Sequence, residues 1–200
     1  ADQAGLDFFG YKVLDAATLD ELEKKLNEHG VTTERIPAGD LLETGERVRF
    51  QIPTGHTIEL YAEKSAVGSA MGCVNPDMDV IDQPGITPIR MDHALLYGTD
   101  LDGATELFCK VLGFTLVERV KLEDGQTDLG VWLTCSAKAH DIAMVRHGEP
   151  GKLHHLSFLL GSWEQVLRAA DIMSMNRVSI DIGPRSEEHT SELQSLSRIS

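Results

Sequence analysis

Residues 152–160 read KLHHLSFLL, two histidines side by side in an apolar run. On a β-strand, successive side chains point to opposite faces. His154 then shares a face with Leu156, Phe158 and Leu160, an apolar, core-like set. His155 shares the other with Leu153, Ser157 and Leu159, the more polar of the two. A histidine on a buried strand is more often a hydrogen-bonded core residue than a ligand. If either reaches into a site, the alternation favours His155.

A helix follows this strand, opened by Ser162 and Gln165 in capping-box spacing, with Val166, Leu167, Ala170 and Met173 as its apolar stripe. The same grammar occurs twice upstream. One unit starts with the strand MDHALLYG (91–98). Asp102 then caps a helix carrying Leu107, Phe108, Val111 and Leu112, and Gly113 stops it. Three strand-like runs come next: FTLVERVKL, the stretch around LGVWLTC, and HDIAMVRH. The earliest unit starts with LDFFGYKV (6–13). Its helix opens at Thr18 with Glu21 three residues on, carries Leu19, Leu22 and Leu26, and closes at Gly30; TTERI, RVRFQI and HTIELYA complete it. Each unit reads strand, helix, three strands. After the helix of the third there is only VSIDIGP. Residues 63–88 hold Gly, Pro, Met and Asp without periodicity and read as a linker. Units of this kind cannot each bury both faces of a sheet, so an α+β fold of paired βαβββ modules is expected.

The repeat adds weight to the histidines. Aligning the second and third units on their first strands puts His93 over His155 and Asp92 over His154. If the units pair about a pseudo-twofold, both imidazoles enter one concavity, an arrangement that favours a metal site over a purely structural role.

Composition narrows the partners. The 200 residues are 42% hydrophobic and 25% charged, as in an ordinary globular protein, and their net charge of −14 disfavours nucleic acid and anionic membrane alike. No apolar run approaches the roughly 20 residues of a membrane span. Cys73, Cys109 and Cys135 are odd in number and lack metal spacing, so they read as free thiols in a reducing compartment. With no signal-peptide pattern at the start, the cytoplasm is the expected location.

The strings MDHALLYG, KVLGFTLVE, AKAHDIAMV, LHHLSFLL, RAADIMSM and SIDIGP closely resemble the catechol 2,3-dioxygenases. These are type I extradiol ring-cleaving enzymes of the vicinal oxygen chelate superfamily. IPAGDL, RVRFQIPTGHTIELYAEK and VNPD resemble the end of the family's N-terminal domain and its interdomain linker, so the likeness runs from about residue 5 to Pro184. The resemblance implies two domains of two βαβββ modules each, with Fe(II) held in the C-terminal one by two histidines and a glutamate. It implies His93 and His155 as metal ligands and His140, in AKAHDIAMV, as the acid–base histidine; His154 is left structural or behind a ligand. Two imidazoles and one carboxylate leave three adjacent positions on Fe(II), two for the vicinal oxygens of a catechol and one for dioxygen. A homotetramer is implied as well. The expected divisions are 1–62, second module of the N-terminal domain; 63–88, linker; 89–184, iron-binding domain; and 185–200, a non-native tail.

The chain also departs from this pattern, and the resemblance implies truncation at both ends. Glu59 sits where the family's metal glutamate sits in the fourth module, but this first unit has Phe8 and Phe9 in place of histidines, so Glu59 is expected to be a structural echo. The strand that supplies the working glutamate would come after Pro184. Residues 185–195, RSEEHTSELQS, read instead as the translation of a sequencing-adapter oligonucleotide, so Glu187, Glu188, His189 and Glu192 carry no role and the chain alone is expected to be inactive. Two rival readings stay open. One is another metalloenzyme of the superfamily, an isomerase or thiol transferase using Zn, Mn or Ni or a dihydroxybiphenyl-cleaving relative, although AKAHDIAMV favours a monocyclic catechol. The other is a metal-free small-molecule-binding module of the same fold, which has no need of His93, His140 and His155.

Overall fold

A computed structural model describes residues 5–65, 85–181 and 183. Most of the expected linker, the tail and Cys73 lie outside the described residues. The chain order is β1 (Phe9–Lys12), α1 (Ala16–Glu28), β2 (Thr33–Ile36), β3 (Arg47–Gln51), β4 (Thr57–Tyr61), β5 (Arg90–Gly98), α2 (Leu101–Lys110), β6 (Thr115–Lys121), β7 (Asp128–Thr134), β8 (Ile142–Arg146), β9 (Lys152–Leu159) and α3 (Trp163–Met175). The first sheet has the order β1-β4-β3-β2, and the second β6-β7-β8-β5-β9. In each, the first strand of the module runs parallel to its last: Phe9 is in register with Ile58, and Ala94 with Ile142. The repeat read from the sequence is therefore a repeat of topology, with β9 beginning a third module beside β5. Among the described residues, no helix is long and apolar enough to cross a membrane.

Two compact units emerge, one from Ala1–Gly72 with Asp92–Ser157, the other from Cys73–Met91 with Phe158–Ser200, each over its described residues. In the first unit a single apolar cluster joins Leu26, Val48, Phe50, Ile58 and Leu60 to Leu96, Leu107, Phe108, Leu133 and Met144. Tyr11 lies edge-on to Phe114 at 5.7 Å. Burial, with Cys135 and Asp141 adding to it, pushes the Tyr11 phenol far above its usual range. A Cβ on Gly98 would lie 2.3 Å from the Cβ of Thr54, so this strand end has room only for glycine.

Two helix starts differ from the expected ones. Asp15, not Thr18, caps α1: its carboxylate accepts from Thr18 N at 2.8 Å and Thr18 Oγ1 at 2.7 Å, while Glu21 pairs with Lys25 at 2.7 Å. Asp100, not Asp102, caps α2 by accepting from Gly103 N at 2.9 Å. The earlier start places the fully buried Leu101 in the first turn of α2. In both cases the effective acceptor stands three residues before the amide it receives, as an N-cap must. Gly113 ends α2 as expected, at φ 75°.

In the second unit, Ser162 caps α3 by accepting from Gln165 N, as its spacing predicts, while Gln165 Oε1 accepts from Gly161 N at 2.6 Å. The buried stripe is different from the expected one. Ala169 and Ile172 are buried and Val166 and Ala170 half-buried, whereas Leu167 and Met173 are exposed. Apolar identity alone named Leu167, but the inward face runs through positions three and six residues beyond Val166.

Candidate metal and acid–base site

Three of the residues singled out by the sequence converge on the second sheet. His93 comes from β5, His155 from β9, and His140 from the turn entering β8. The His93 and His140 ring centroids are 4.3 Å apart, and those of His93 and His155 5.6 Å apart at 77°. Both His93 and His140 are buried, with exposures of 7% and 6%. A cluster of imidazoles so far from bulk water is suited to ligation or proton transfer rather than to solvation.

Each candidate ligand is held through its Nδ1. Asp92 Oδ2 lies 3.1 Å from His93 Nδ1. A carboxylate only accepts, so Nδ1 carries the hydrogen, and in the neutral ring Nε2 keeps the lone pair. His155 Nδ1 lies 2.7 Å from His154 Nδ1. One of those nitrogens donates and the other accepts; with His155 donating, its Nε2 also keeps the lone pair. Outer partners of this type are what orients metal-bound imidazoles elsewhere. Strand alternation alone predicts that His154 and His155 point apart, but their rings bend together. The supposed core face of His154 is open, with Leu156 and Phe158 exposed at 38% and 45%. Alternation separates the faces of a strand without saying which one is covered.

Lys138 ties the two halves of the site together, which the sequence reading did not anticipate. Its Nζ donates to the Asp92 carbonyl, stands 3.6 Å from Asp92 Oδ1 and bonds Asp141 Oδ1 at 2.8 Å. It thereby joins the residue behind His93 to the residue after His140. Burial alone would raise the Asp141 carboxyl, but donation from Lys138, Cys135 N, Thr134 Oγ1 and Ser136 Oγ outweighs it and holds the group well below the usual carboxylate range. Tyr97, another addition, packs 5.0 Å from His154 and 4.9 Å from His147. The adjacent Asp-His pair at 92–93 was the available signal for the carboxylate–imidazole contact. Nothing local signalled Lys138, which acts across 46 residues.

Glu59 is far from these groups in kind. It is fully buried, Arg47 Nε bonds its Oε2 at 2.6 Å, and Arg49 Nε bonds its Oε1 at 2.8 Å. Both carboxylate oxygens are engaged in a structural ion cluster. Among the described residues, no three His, Cys, Asp or Glu side chains are grouped to hold a metal ion.

Residues 6–65 match the catechol 2,3-dioxygenase-like N-terminal domain, and residues 90–192 match the glyoxalase/bleomycin resistance protein/dioxygenase superfamily. The chain belongs to that superfamily. Among its relatives, the metapyrocatechase of Pseudomonas sp. (strain CF600) is 48% identical over 92% of this chain and 60% of its own length. The manganese-dependent 2,3-dihydroxybiphenyl 1,2-dioxygenase of Geobacillus genomosp. 3 is 25% identical over 91% of this chain and 59% of its own. The crystal structure of the 2,3-dioxygenase LapB from Pseudomonas sp. KL28 superposes with a TM-score of 0.82 at 60% identity, over 94% of this chain and 65% of that one. The chain thus spans less than two thirds of each of these relatives. Here β5 and β9, neighbours in the second sheet, carry the two imidazoles.

Proposed function

We propose that the protein containing this chain cleaves catechol with dioxygen beside the two hydroxyls, giving 2-hydroxymuconate semialdehyde, with both oxygen atoms entering the product. The convergence of His93, His155 and His140 carries this reading, and the likeness to metapyrocatechase and to LapB supports it. His93 and His155 would hold the metal ion, Fe(II), through Nε2. Their donor chemistry fits: each Nδ1 is engaged, one with Asp92 and one with His154, which leaves Nε2 of each ring as the donor to a metal. The third ligand, a glutamate, comes from outside the described residues. A metal held there would bring catechol and dioxygen together and would let electron density pass between them.

The protein's own groups do the rest. His140, buried against His93, accepts a proton from a catechol hydroxyl, the role most often taken by an imidazole. Lys138 keeps His140 and His93 in one frame through Asp141 and Asp92. In this reading, 1–62 and 89–184 belong to two domains of a cytoplasmic homo-oligomer. The test is the purified full-length protein, loaded with Fe(II) without oxygen and then given catechol and air. Uptake of one dioxygen per catechol with a yellow ring-fission product is expected. Muconate, from cleavage between the hydroxyls, would overturn the proposal, and higher activity with Mn(II) would reassign the metal.

A further inference from the structure

The turn between β3 and β4, residues 52–56, is closed by Ile52 N donating to His56 O at 3.0 Å and Gly55 N donating to Ile52 O at 2.8 Å. It is seated against both strands that carry the candidate ligands. Thr54 is fully buried against Gly98, the last residue of β5, and its carbonyl accepts at 2.8 Å from Gly151 N in the turn before β9. Gly55, at φ 86°, lets the two turns approach: a Cβ on it would stand 2.8 Å from Pro150 Cβ.

His56 completes the contact. It is 3% exposed and both of its ring nitrogens are engaged, Nε2 at 3.0 Å from the Lys152 carbonyl oxygen and Nδ1 at 3.0 Å from Thr54 Oγ1. A carbonyl only accepts, so Nε2 donates to it. Burial holds the imidazole below its ordinary range against the opposing pull of that carbonyl, so the neutral ring accepts at Nδ1 from the Thr54 hydroxyl. Lys152 opens β9, three residues and about 10 Å of strand before His155. Among the described residues β9 is the outermost strand of its sheet, beside β5. Leu153 packs against the core cluster and sets the depth of the strand. Nothing in that apolar contact fixes the strand along its own length, whereas a directed bond to the Lys152 carbonyl does. A ligand set tolerates displacements of only about 0.5 Å, so a small slip of β9 would matter to His155.

We propose that His56 is a positioning residue for the histidine cluster: from the first module it clamps the start of β9 and thereby sets the reach of His155 toward His93. The proposal rests on the reading that His93 and His155 hold a metal ion.

The test is Co(II) binding to the full-length protein, followed by visible absorbance in competition with a chelator, in His56→Gln and His56→Asn. The longer side chain carries its amide nitrogen to the place of Nε2 and can donate to Lys152; the shorter one reaches only the place of Nδ1. His56→Asn should bind Co(II) about tenfold more weakly and with an altered absorption band, while His56→Gln should stay within about twofold of the wild type. Thr54→Val keeps the shape but removes the hydroxyl that orients the ring; it should weaken Co(II) by about threefold, and it carries the test if His56→Asn does not fold. A purely structural role would lower urea midpoints and leave the affinity and band of the folded variants unchanged, and that result would overturn the proposal. Equal losses in His56→Gln and His56→Asn would overturn it too. His93→Ala separates the two readings. If it binds Co(II) as tightly as the wild type, the metal site is misassigned and this proposal falls with it; if it loses Co(II) while His56→Asn and Thr54→Val do not, only the role of His56 is refuted.

Discussion

Asp92→Asn isolates the charge behind His93 without removing the contact. The asparagine carbonyl still accepts from Nδ1, which in the wild-type chain lies 3.1 Å from Asp92 Oδ2. Shape and tautomer are kept, and only the negative charge is lost. A hydrogen bond to a charged group contributes about 1.5–3 kcal/mol and a neutral one about 0.5–1.5 kcal/mol. The difference is about 1.4 kcal/mol, or about tenfold in metal affinity. Two features keep it at the low end of the ten- to hundredfold range known for outer partners. The Asp92 side chain is 27% exposed, and Lys138 already offsets its charge from 3.6 Å. The assay is Co(II) binding to the full-length protein, followed by visible absorbance in competition with a chelator, with circular dichroism to confirm that both proteins are folded. A change of less than about twofold in affinity, with His93→Ala abolishing binding, would show that the carboxylate does not tune the imidazole.

In the same assay His93→Ala and His155→Ala should each lose the metal, whereas His154→Ala should retain it with weaker affinity; loss in His154→Ala alone would reverse the assignment. His140→Ala should keep metal and catechol binding but slow turnover by about 10²–10⁴-fold, and an unchanged rate at saturating substrates would remove it from the mechanism. Asp141 is held below its ordinary value, so its contribution to stability is complete above the unfolded value of about 3.9 and is lost as pH falls through the folded one. Urea midpoints of the wild type should therefore fall faster than those of Asp141→Asn below about pH 4, and parallel curves would refute this.

The parts of the fold that were legible in the sequence are those set by short-range periodicity. Helical spacing marked the helices of both complete modules, and the strands read either as alternating runs or, as in β7 and β8, as near-continuous apolar runs buried on both faces. The cap positions were less legible. Asp15 and Thr18 are both good acceptors, and only the extended backbone at Asp15 (φ −157°, ψ 178°) decides between them. The burial of Glu59 was legible only as an oddity. Its partner Arg49 is directly opposite in the β3–β4 register and Arg47 is on the same face, but that register is a tertiary fact. Lys138 belongs to the same class, since its acceptors come from a strand and a turn far apart in the chain.

The two candidate ligands were legible for a different reason: repetition turns a long-range relation into a local one. Each first strand carries the same pair of positions, Asp92-His93 and His154-His155, and in each the earlier residue meets the Nδ1 of the later. The chemistry differs. A carboxylate leaves His93 no choice of tautomer, whereas the pairing of two imidazoles can be written with the hydrogen on either Nδ1. The Nδ1 hydrogen of His93 is thus set by a carboxylate on its own strand. Ligation through His155 requires in addition that His154 be the acceptor, and a cation placed on the Nε2 side of His155 favours that arrangement by drawing on the lone pair there. In the proposed metal site, then, His93 would be oriented without the metal, whereas His155 would present its Nε2 lone pair only in the arrangement that the metal would favour.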